Sequence, residues 1–448
     1  MPSTTTYGNF PGVKIETTGG SLAGVTVGRE QKLVLIGYGD PASGSANVNE
    51  PTQIQSQLDA DRKFGDGSRL ANQMKDALSN GANISFLFGV MLDEKTVSAE
   101  SFAGTTSGTL ANAPIVEDLD TITVRDTTDA TDSSSDDFVV EFNYESPPPA
   151  PTLDGSETDK VFINPNTGEW EADSSSDYEF DYEYGDWSTA ISEAGTVIAE
   201  EETAVIATAS DAESVASTLS GQVNTLREDY KLAVGLSGAE PNLTDSDGTA
   251  AYDTGTYTDA IDNDSLFLHA TARKEGSVEK ITGGLGGLLA GNALDDSIYR
   301  DTLNVGAVEQ RLSLSDANNL RDAQVIPIRQ PPTGGSVVVS GNLSTSTETD
   351  YERDYFTKRI VDQVILVARV VGQSTVGRIN TPDTRASARE QIRSQLKGLA
   401  EDGLIESDGD SSFFINVFEV DANTIGIDLG VTPFGVVKRV EVSLTVSQ

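Results

Sequence analysis

The chain has 448 residues, 71 acidic against 30 basic side chains, no cysteine, and a formal net charge of −41. Disulfide, thiolate and iron–sulfur chemistry are therefore excluded, and wrapping of nucleic acid is disfavoured because counterion release needs clustered Lys and Arg. A hydrophobic content of 37% argues against global disorder, and the length suits about two to four domains.

Carboxylates at this density repel one another in dilute buffer. At 1 M salt the Debye length falls to about 3 Å, so the composition points to a protein of an extreme halophile. No run of about 20 apolar residues is present, which predicts no membrane-spanning helix. The opening Met1-Pro2-Ser3-Thr4-Thr5-Thr6 lacks a charged-then-apolar leader, so synthesis in the cytoplasm is expected.

In chain order, residues 1–18 read as a polar arm in which Val13 and Ile15 alternate like a short edge strand. Residues 32–37 form a β-rich apolar run, 52–64 and 68–79 read as helices with Gly81 past the second, and 84–91 as a buried strand. Strand, helix, helix, strand is an α/β opening. From residue 98 to 187 the pattern changes to short strands at 116–125, 138–144, 161–164 and 178–184, separated by Ser, Asp, Pro and Gly clusters. After residue 113 this all-β stretch holds only Arg125 and Lys160 as basic residues.

Residues 196–208 and 211–226 read as helices, the second capped by Ser210 or Asp211. Strands are expected at 231–236, 265–272, 324–328 and 337–340, with partial helix at 277–294 and a short helix within 303–319. Phe356, Ile360, Val364, Val367 and Val371 mark the buried face of a further helix. Thr381-Pro382-Asp383 opens the next one, with Thr381 as N-cap and Pro382 at the first helical position. Strands at 413–420 and 425–431 follow. In the tail, Val440, Val442, Leu444 and Val446 alternate with Glu441, Ser443, Thr445 and Ser447. Both ends thus carry strand segments, and pairing inside one subunit and donation to neighbouring copies both fit the pattern.

Motifs for chemistry are weak. Gly37-Tyr38-Gly39-Asp40-Pro41-Ala42 follows a strand, but Pro41 and the Ser43-Gly44-Ser45 loop delay the helix a dinucleotide needs. Gly283-Gly284-Leu285-Gly286-Gly287 has no following Lys-Ser/Thr and reads as a connector or close-packing turn. Asp245-Ser246-Asp247-Gly248 and Asp408-Gly409-Asp410 lack the bidentate Glu of a calcium loop. The single histidine, His269, lies in an apolar strand and reads as a satisfied sheet residue. With 71 acids, carboxylate pairs arise by chance. No catalytic, cofactor or metal site is expected.

Several segments resemble the contractile tail sheath family. They are Pro11-Gly12-Val13 with Glu16, Val34-Leu35-Ile36-Gly37, Asn49-Glu50-Pro51, Phe64-Gly65, the helix ending Asn80-Gly81, and Val325-Ile326-Pro327-Ile328. The likeness is strongest from Phe356-Thr357-Lys358-Arg359-Ile360 through Leu396 and Gly403 to Ile427-Asp428-Leu429-Gly430-Val431. It covers roughly half the chain, by order and spacing rather than by one diagnostic motif.

The resemblance implies a multidomain α/β (α+β) chain. Its parts are a linking arm at 1–20, a sheath core at 21–97 and 189–345, an inserted acidic β domain at 98–188, a C-terminal α/β domain at 346–435 and a linking strand at 436–448. It further implies a structural subunit, not an enzyme. Such subunits form hexameric rings stacked as a helical sheath around a tail tube protein, with baseplate and tail terminator proteins as partners. The setting is then a virion assembled in the host cytoplasm, the tailed virus of a halophilic archaeon, whose contraction serves genome ejection; a cellular contractile injection system is the alternative, and a cell-surface structural protein a more distant one. The residues expected to link subunits are Val13, Ile15, Val440, Val442, Leu444 and Val446. Those expected to face a neighbour or the tube by charge are Arg385, Arg389, Arg393, Lys438 and Arg439. No direct nucleic-acid contact or membrane insertion is expected.

Overall fold

The computed structural model describes residues 31–127, 138–151, 159–200, 202–239, 261–270, 273–294, 296–309, 311–330, 336–341, 343–346, 354–406 and 413–434. Two compact units emerge: Gln31–Gly291 with Thr302–Thr347, and a second that contains Asn292–Asp301 and Glu348–Gln448.

The first unit is built on a nine-stranded sheet. Its strands are β1 (Lys32–Gly37), β2 (Thr52–Gln53), β3 (Leu87–Met91), β9 (Thr203–Thr208), β10 (Leu232–Gly238), β11 (Leu266–Ala270), β12 (Thr302–Leu303), β13 (Ile326–Arg329) and β14 (Val337–Val339). They lie in the order β12-β14-β13-β11-β10-β9-β1-β3-β2. The six from β13 to β3 are parallel, β2 and β14 run antiparallel to them at the two sides, and β12 pairs antiparallel with β14 at the outer edge. Helices cover both faces, as a parallel sheet requires. Val34, Ile36 and Ile206 pack with α3 (Trp187–Ala194) and α4 (Glu213–Glu228), and Leu33 and Ala207 lie beside α5 (Thr282–Gly291) on the opposite face. Each fully buried Val, Leu or Ile here stabilises the fold by about 1.5–3 kcal/mol.

The glycine run is a helix rather than a connector. In α5 the glycines at 283, 287 and 291 lie against Gln73, Ala77 and Gly81, at the end of α2 (Arg69–Ser79), in matching steps of four. A Cβ at any of the three would overlap the backbone it faces. Gly286 lies against Leu33 and Ala207 on the sheet side. Glycine costs about 1 kcal/mol per residue in a helix, and the direct backbone approach it permits compensates.

Other local expectations are also corrected. Residues 52–64 divide into β2 and α1 (Gln57–Phe64), because Ser56 caps the helix by accepting from the Asp59 backbone N–H. Residues 84–91 begin with a 3₁₀ turn at Ile84–Phe86 before β3. Residues 196–208, read as a helix, contain a 3₁₀ turn at Gly195–Val197 and then β9, a strand buried along its whole length. A strand covered on both faces shows no alternation to distinguish it from a buried helix. Helix α4 has Ala212 at its N-cap with no side-chain cap; Asp211 is used elsewhere.

A second sheet occupies the sequence between β3 and α3. It comprises β4 (Glu94–Thr109), β5 (Thr123–Asp126), β6 (Phe138–Phe142), β7 (Asp159–Ile163) and β8 (Glu169–Gly185), with β8 pairing β4, β5 and β7. Along β8, Trp170, Ala172, Tyr178, Phe180 and Tyr182 are buried, while Glu179, Asp181 and Glu183 alternate with them on the half-exposed face. Arg125 binds Glu179 at 2.7 Å and also pairs with Asp181. Trp170 meets Phe102 and Tyr178 edge to face and Phe180 at a tilt, at centroid distances of 5.2, 5.3 and 4.9 Å. Strand β4 is absent from the sequence reading because it is largely exposed and carries few apolar residues.

In the second unit, α7 (Tyr355–Thr375) packs with α8 (Pro382–Glu401) and with the hairpin of β15 (Phe413–Asp421) and β16 (Thr424–Val431). Asp354 caps α7 by accepting from the N–H groups of Phe356 and Thr357. Thr381 caps α8 with Pro382 in its first turn, as the sequence indicates. The shared core includes Ile360, Val364, Val367, Ile392, Leu396, Leu399, Ile415 and Val431.

Candidate functional site

The β15–β16 hairpin is the first candidate. Odd-numbered Phe413, Ile415 and Val417 turn to the helices with Ile427 and Leu429. The even-numbered face is open: Phe414 is 60% exposed, Phe418 37% and Val420 58%. The Phe418 ring lies over Gly426, where a Cβ would collide with it, and Asn416 donates to Asp428 at 3.3 Å on the same face. Each strand has the other as its only strand partner among the described residues. Among the described residues the hairpin therefore has two unfilled ladder edges, the geometry that accepts an added strand.

Its placement is fixed from α8. Arg385 donates to Asn380 Oδ1 at 2.6 Å and to Glu419 Oε2 at 2.8 Å, and Asn380 donates to the Asp421 carbonyl at 2.9 Å. After β16 the chain returns along 404–406: Glu406 N donates to Thr432 O, and Phe434 N to Leu404 O, both at 3.1 Å.

The other candidate is the crevice at the carboxyl ends of β1 and β9. Strand order reverses there, since β1 has β3 on one side and the later strands on the other, and such switch points usually bind ligands in α/β sheets. Here the place is taken by charged side chains. Arg273 donates to Asp211 Oδ2 from Nε at 2.9 Å and from Nη2 at 2.8 Å, and to Glu117 Oε1 from Nη2 at 2.8 Å. Lys280 reaches Asp211 Oδ1 at 2.9 Å and Glu117 Oε2 at 3.1 Å.

Tyr144 donates to Glu117 Oε1 at 3.2 Å, and its ring centroid lies 3.6 Å from the Arg273 guanidinium carbon. Asp211, Arg273, Lys280 and Glu117 are 1%, 3%, 5% and 8% exposed. Burial pushes the Asp211 carboxyl up, but Arg273 and Lys280 more than offset it and hold it down to about 2. Burial also pushes the Tyr144 hydroxyl up, with the Glu117 charge adding to it.

His269, in β11, is fully buried, and its Nε2 lies 2.9 Å from Thr282 Oγ1. Burial lowers it to about 3, so it is neutral at physiological pH. It is a buried sheet residue, but it is not fully satisfied as the sequence suggested, because its Nδ1 has no hydrogen-bond partner among the described residues. Among the described residues no cluster of His, Cys, Asp and Glu could hold a metal ion, and no helix is long and apolar enough to cross a membrane. The loops at 245–248 and 408–410 lie outside the described residues.

Of the residues expected to link subunits, Val13, Ile15, Val440, Val442, Leu444 and Val446 lie outside the described residues, as do Lys438 and Arg439. Arg385 is engaged within the chain at the hairpin. Arg393 pairs with Glu390 at 2.9 Å, and Arg389 is exposed on the same helix. The Glu117–Asp211–Arg273–Lys280 cluster had no sequence signal: its members are 7 to 163 residues apart, and only Lys280 and Arg273 are close neighbours.

Comparison places this architecture. A chain of the anti-feeding prophage helical sheath in its contracted state is 12% identical, with a TM-score of 0.57 over 98% of this chain and 99% of that one. The sheath complex of an extracellular contractile injection system in its contracted state is also 12% identical, with a TM-score of 0.57 over 98% of both chains. The sheath tail protein of Listeria innocua is 10% identical, with a TM-score of 0.54 over 91% of this chain and 93% of that one. No curated protein matches the sequence. The fold is that of contractile tail sheath proteins. Residues 10–263 match the model of DUF2586, N-terminal domain, and the chain belongs to that family.

Proposed function

We propose that the protein is the structural subunit of a contractile tail sheath. Subunits stack as hexameric rings around a tail tube, between a baseplate and a tail terminator, and contraction drives the tube through a host envelope. The observation that carries this reading is the β15–β16 hairpin, seated by one face on α7 and α8 and, among the described residues, without a strand partner at either outer edge. Segments 1–20 and 436–448 of neighbouring copies fill those edges, so that main-chain hydrogen bonds tether subunits while their domains slide. A contact of this kind between unlike surfaces propagates into a helical polymer unless it closes.

In this reading residues 21–97 and 189–345 form the sheath core, 346–435 the linking domain and 98–188 a peripheral acidic insertion that keeps the particle soluble. Arg389 and Arg393 face a neighbour or the tube, with Lys438 and Arg439 beside the linking strand. The net charge of −41 suits a virus of a halophilic archaeon, with the particle assembled in the host cytoplasm and the contraction serving genome ejection.

Deleting residues 439–448 tests the reading. The expected product is a folded monomer that forms no tubes in negative-stain micrographs, and normal tubes from the truncated chain would overturn the linkage.

A further inference from the structure

The buried cluster at the switch point has a division of labour that its geometry makes plain. Asp211 follows β9, and Arg273 and Lys280 lie between β11 and α5, so these three belong to the nine-stranded sheet and its connections. Glu117 lies between β4 and β5, and Tyr144 follows β6, so both arrive with the second sheet. With Glu117 set aside, the core presents two buried cations to one carboxylate, an anion site with one place unfilled. The Glu117 carboxylate fills that place: Oε1 accepts from Arg273 Nη2 at 2.8 Å and Oε2 lies 3.1 Å from Lys280 Nζ. Arg69 Nη2 holds the Glu117 carbonyl at 2.7 Å, and Tyr144 covers the guanidinium.

We propose that the switch point is a carboxylate-binding site whose occupant is the side chain of Glu117, and that the second sheet is docked on the core as the carrier of that built-in ligand. The chemistry is a carboxylate held between a guanidinium and an ammonium group out of water, where such hydrogen bonds are strongest. Two backbone connections, β3 to β4 and β8 to α3, cross between the sheets side by side, with Asp186 N donating to Asp93 O at 3.0 Å. They tether the sheet, and the carboxylate sets its orientation. Because the cluster is shielded from solvent, molar salt leaves the docking in place.

Chemical rescue tests this in the full-length chain. Glu117→Ala empties the place, and sodium formate, titrated at constant ionic strength, refills it. The melting temperature of Glu117→Ala is expected to rise by about 3–6 °C per tenfold of formate above half-saturation. Wild type, Glu117→Gln and the double variant Glu117→Ala/Arg273→Met are expected to show no such rise.

The absence of cysteine allows spin labels at exposed Ser107→Cys on β4 and Ser217→Cys on α4. One narrow distance distribution is expected in wild type and a broad one in Glu117→Gln. Glu117→Ala is expected to be broad and to narrow when formate is added. Glu117→Gln fills the same space, so it keeps the test decisive if Glu117→Ala does not fold. A formate response in Glu117→Ala no larger than in wild type, or a narrow distribution in Glu117→Gln, overturns the proposal. Neither readout requires a sheath to assemble, so failure here is distinct from failure of polymerisation.

Discussion

Arg273→Met is the perturbation whose cost can be worked most directly from the structure. It removes two hydrogen bonds to Asp211, one to Glu117 and the stack on Tyr144. Lys280 is left to neutralise two carboxylates that water scarcely reaches. Breaking a buried pair by deleting one partner costs about 3–5 kcal/mol, a large part of the roughly 5–15 kcal/mol that typically holds a domain folded. At about 2–4 °C per kcal/mol for a large domain, the melting temperature should fall by about 6–20 °C.

The assay is urea and thermal unfolding followed by tryptophan fluorescence. Trp170 lies in the second sheet and Trp187 on α3, and the chain has only these 2 tryptophans. Trp187→Phe and Trp170→Phe backgrounds then report each sheet separately. Arg273→Met/Glu117→Gln should lose less than the sum of the single variants, because removing both partners leaves no unpaired charge between them. A loss below about 1 kcal/mol for Arg273→Met, in the range of surface ion pairs, would refute the reasoning.

Acidification should expose His269. Its folded value of about 3 lies below the ordinary imidazole value of 6.5, so its contribution is whole above pH 6.5 and is lost as pH falls from there towards 3. The slope is about 1.4 kcal/mol per pH unit for one proton, and His269→Gln should flatten the wild-type stability curve across that window. Glu94 behaves in the opposite sense. Burial, then the charge of Glu183, raises it to about 7, so its contribution is whole below pH 4.5 and is lost as pH rises through 7. Glu94→Gln should therefore melt higher than wild type above pH 7, by differential scanning calorimetry, with little difference below pH 4.5. Gly287→Val drives a branched side chain into the Ala77 backbone; overpacking costs about 1–3 kcal/mol, to be read as a lower urea midpoint at unchanged slope.

Amphipathic and capped elements were legible in the sequence. The stripe from Phe356 to Val371 and the Thr381-Pro382 start of α8 needed only period and capping chemistry, and β1 was bounded correctly as an isolated apolar run. Central strand β9 was not, because Thr203-Ala204-Val205-Ile206-Ala207-Thr208 is buried on both faces and its alanines suit a helix equally well. Exposed β4 failed for the converse reason, since Glu94 to Thr109 has almost no apolar rhythm.

The helix of glycines at 283, 287 and 291 depends on a partner backbone that local sequence does not contain. The same is true of the ion cluster: Asp211 beside a helix start looks like a cap until Arg273 is brought to it across the sheet. The hairpin was visible as two strands, while its open edges are a property of topology.

Cryo-electron microscopy of the purified full-length chain, assembled in multimolar salt, tests the central claim most directly. The account predicts helical tubes in which strands from other copies hydrogen-bond to both β15 and β16, making a sheet of about four strands where one copy supplies two. Tubes whose β15 and β16 edges stay empty, or are filled by the same chain's own termini, would contradict it.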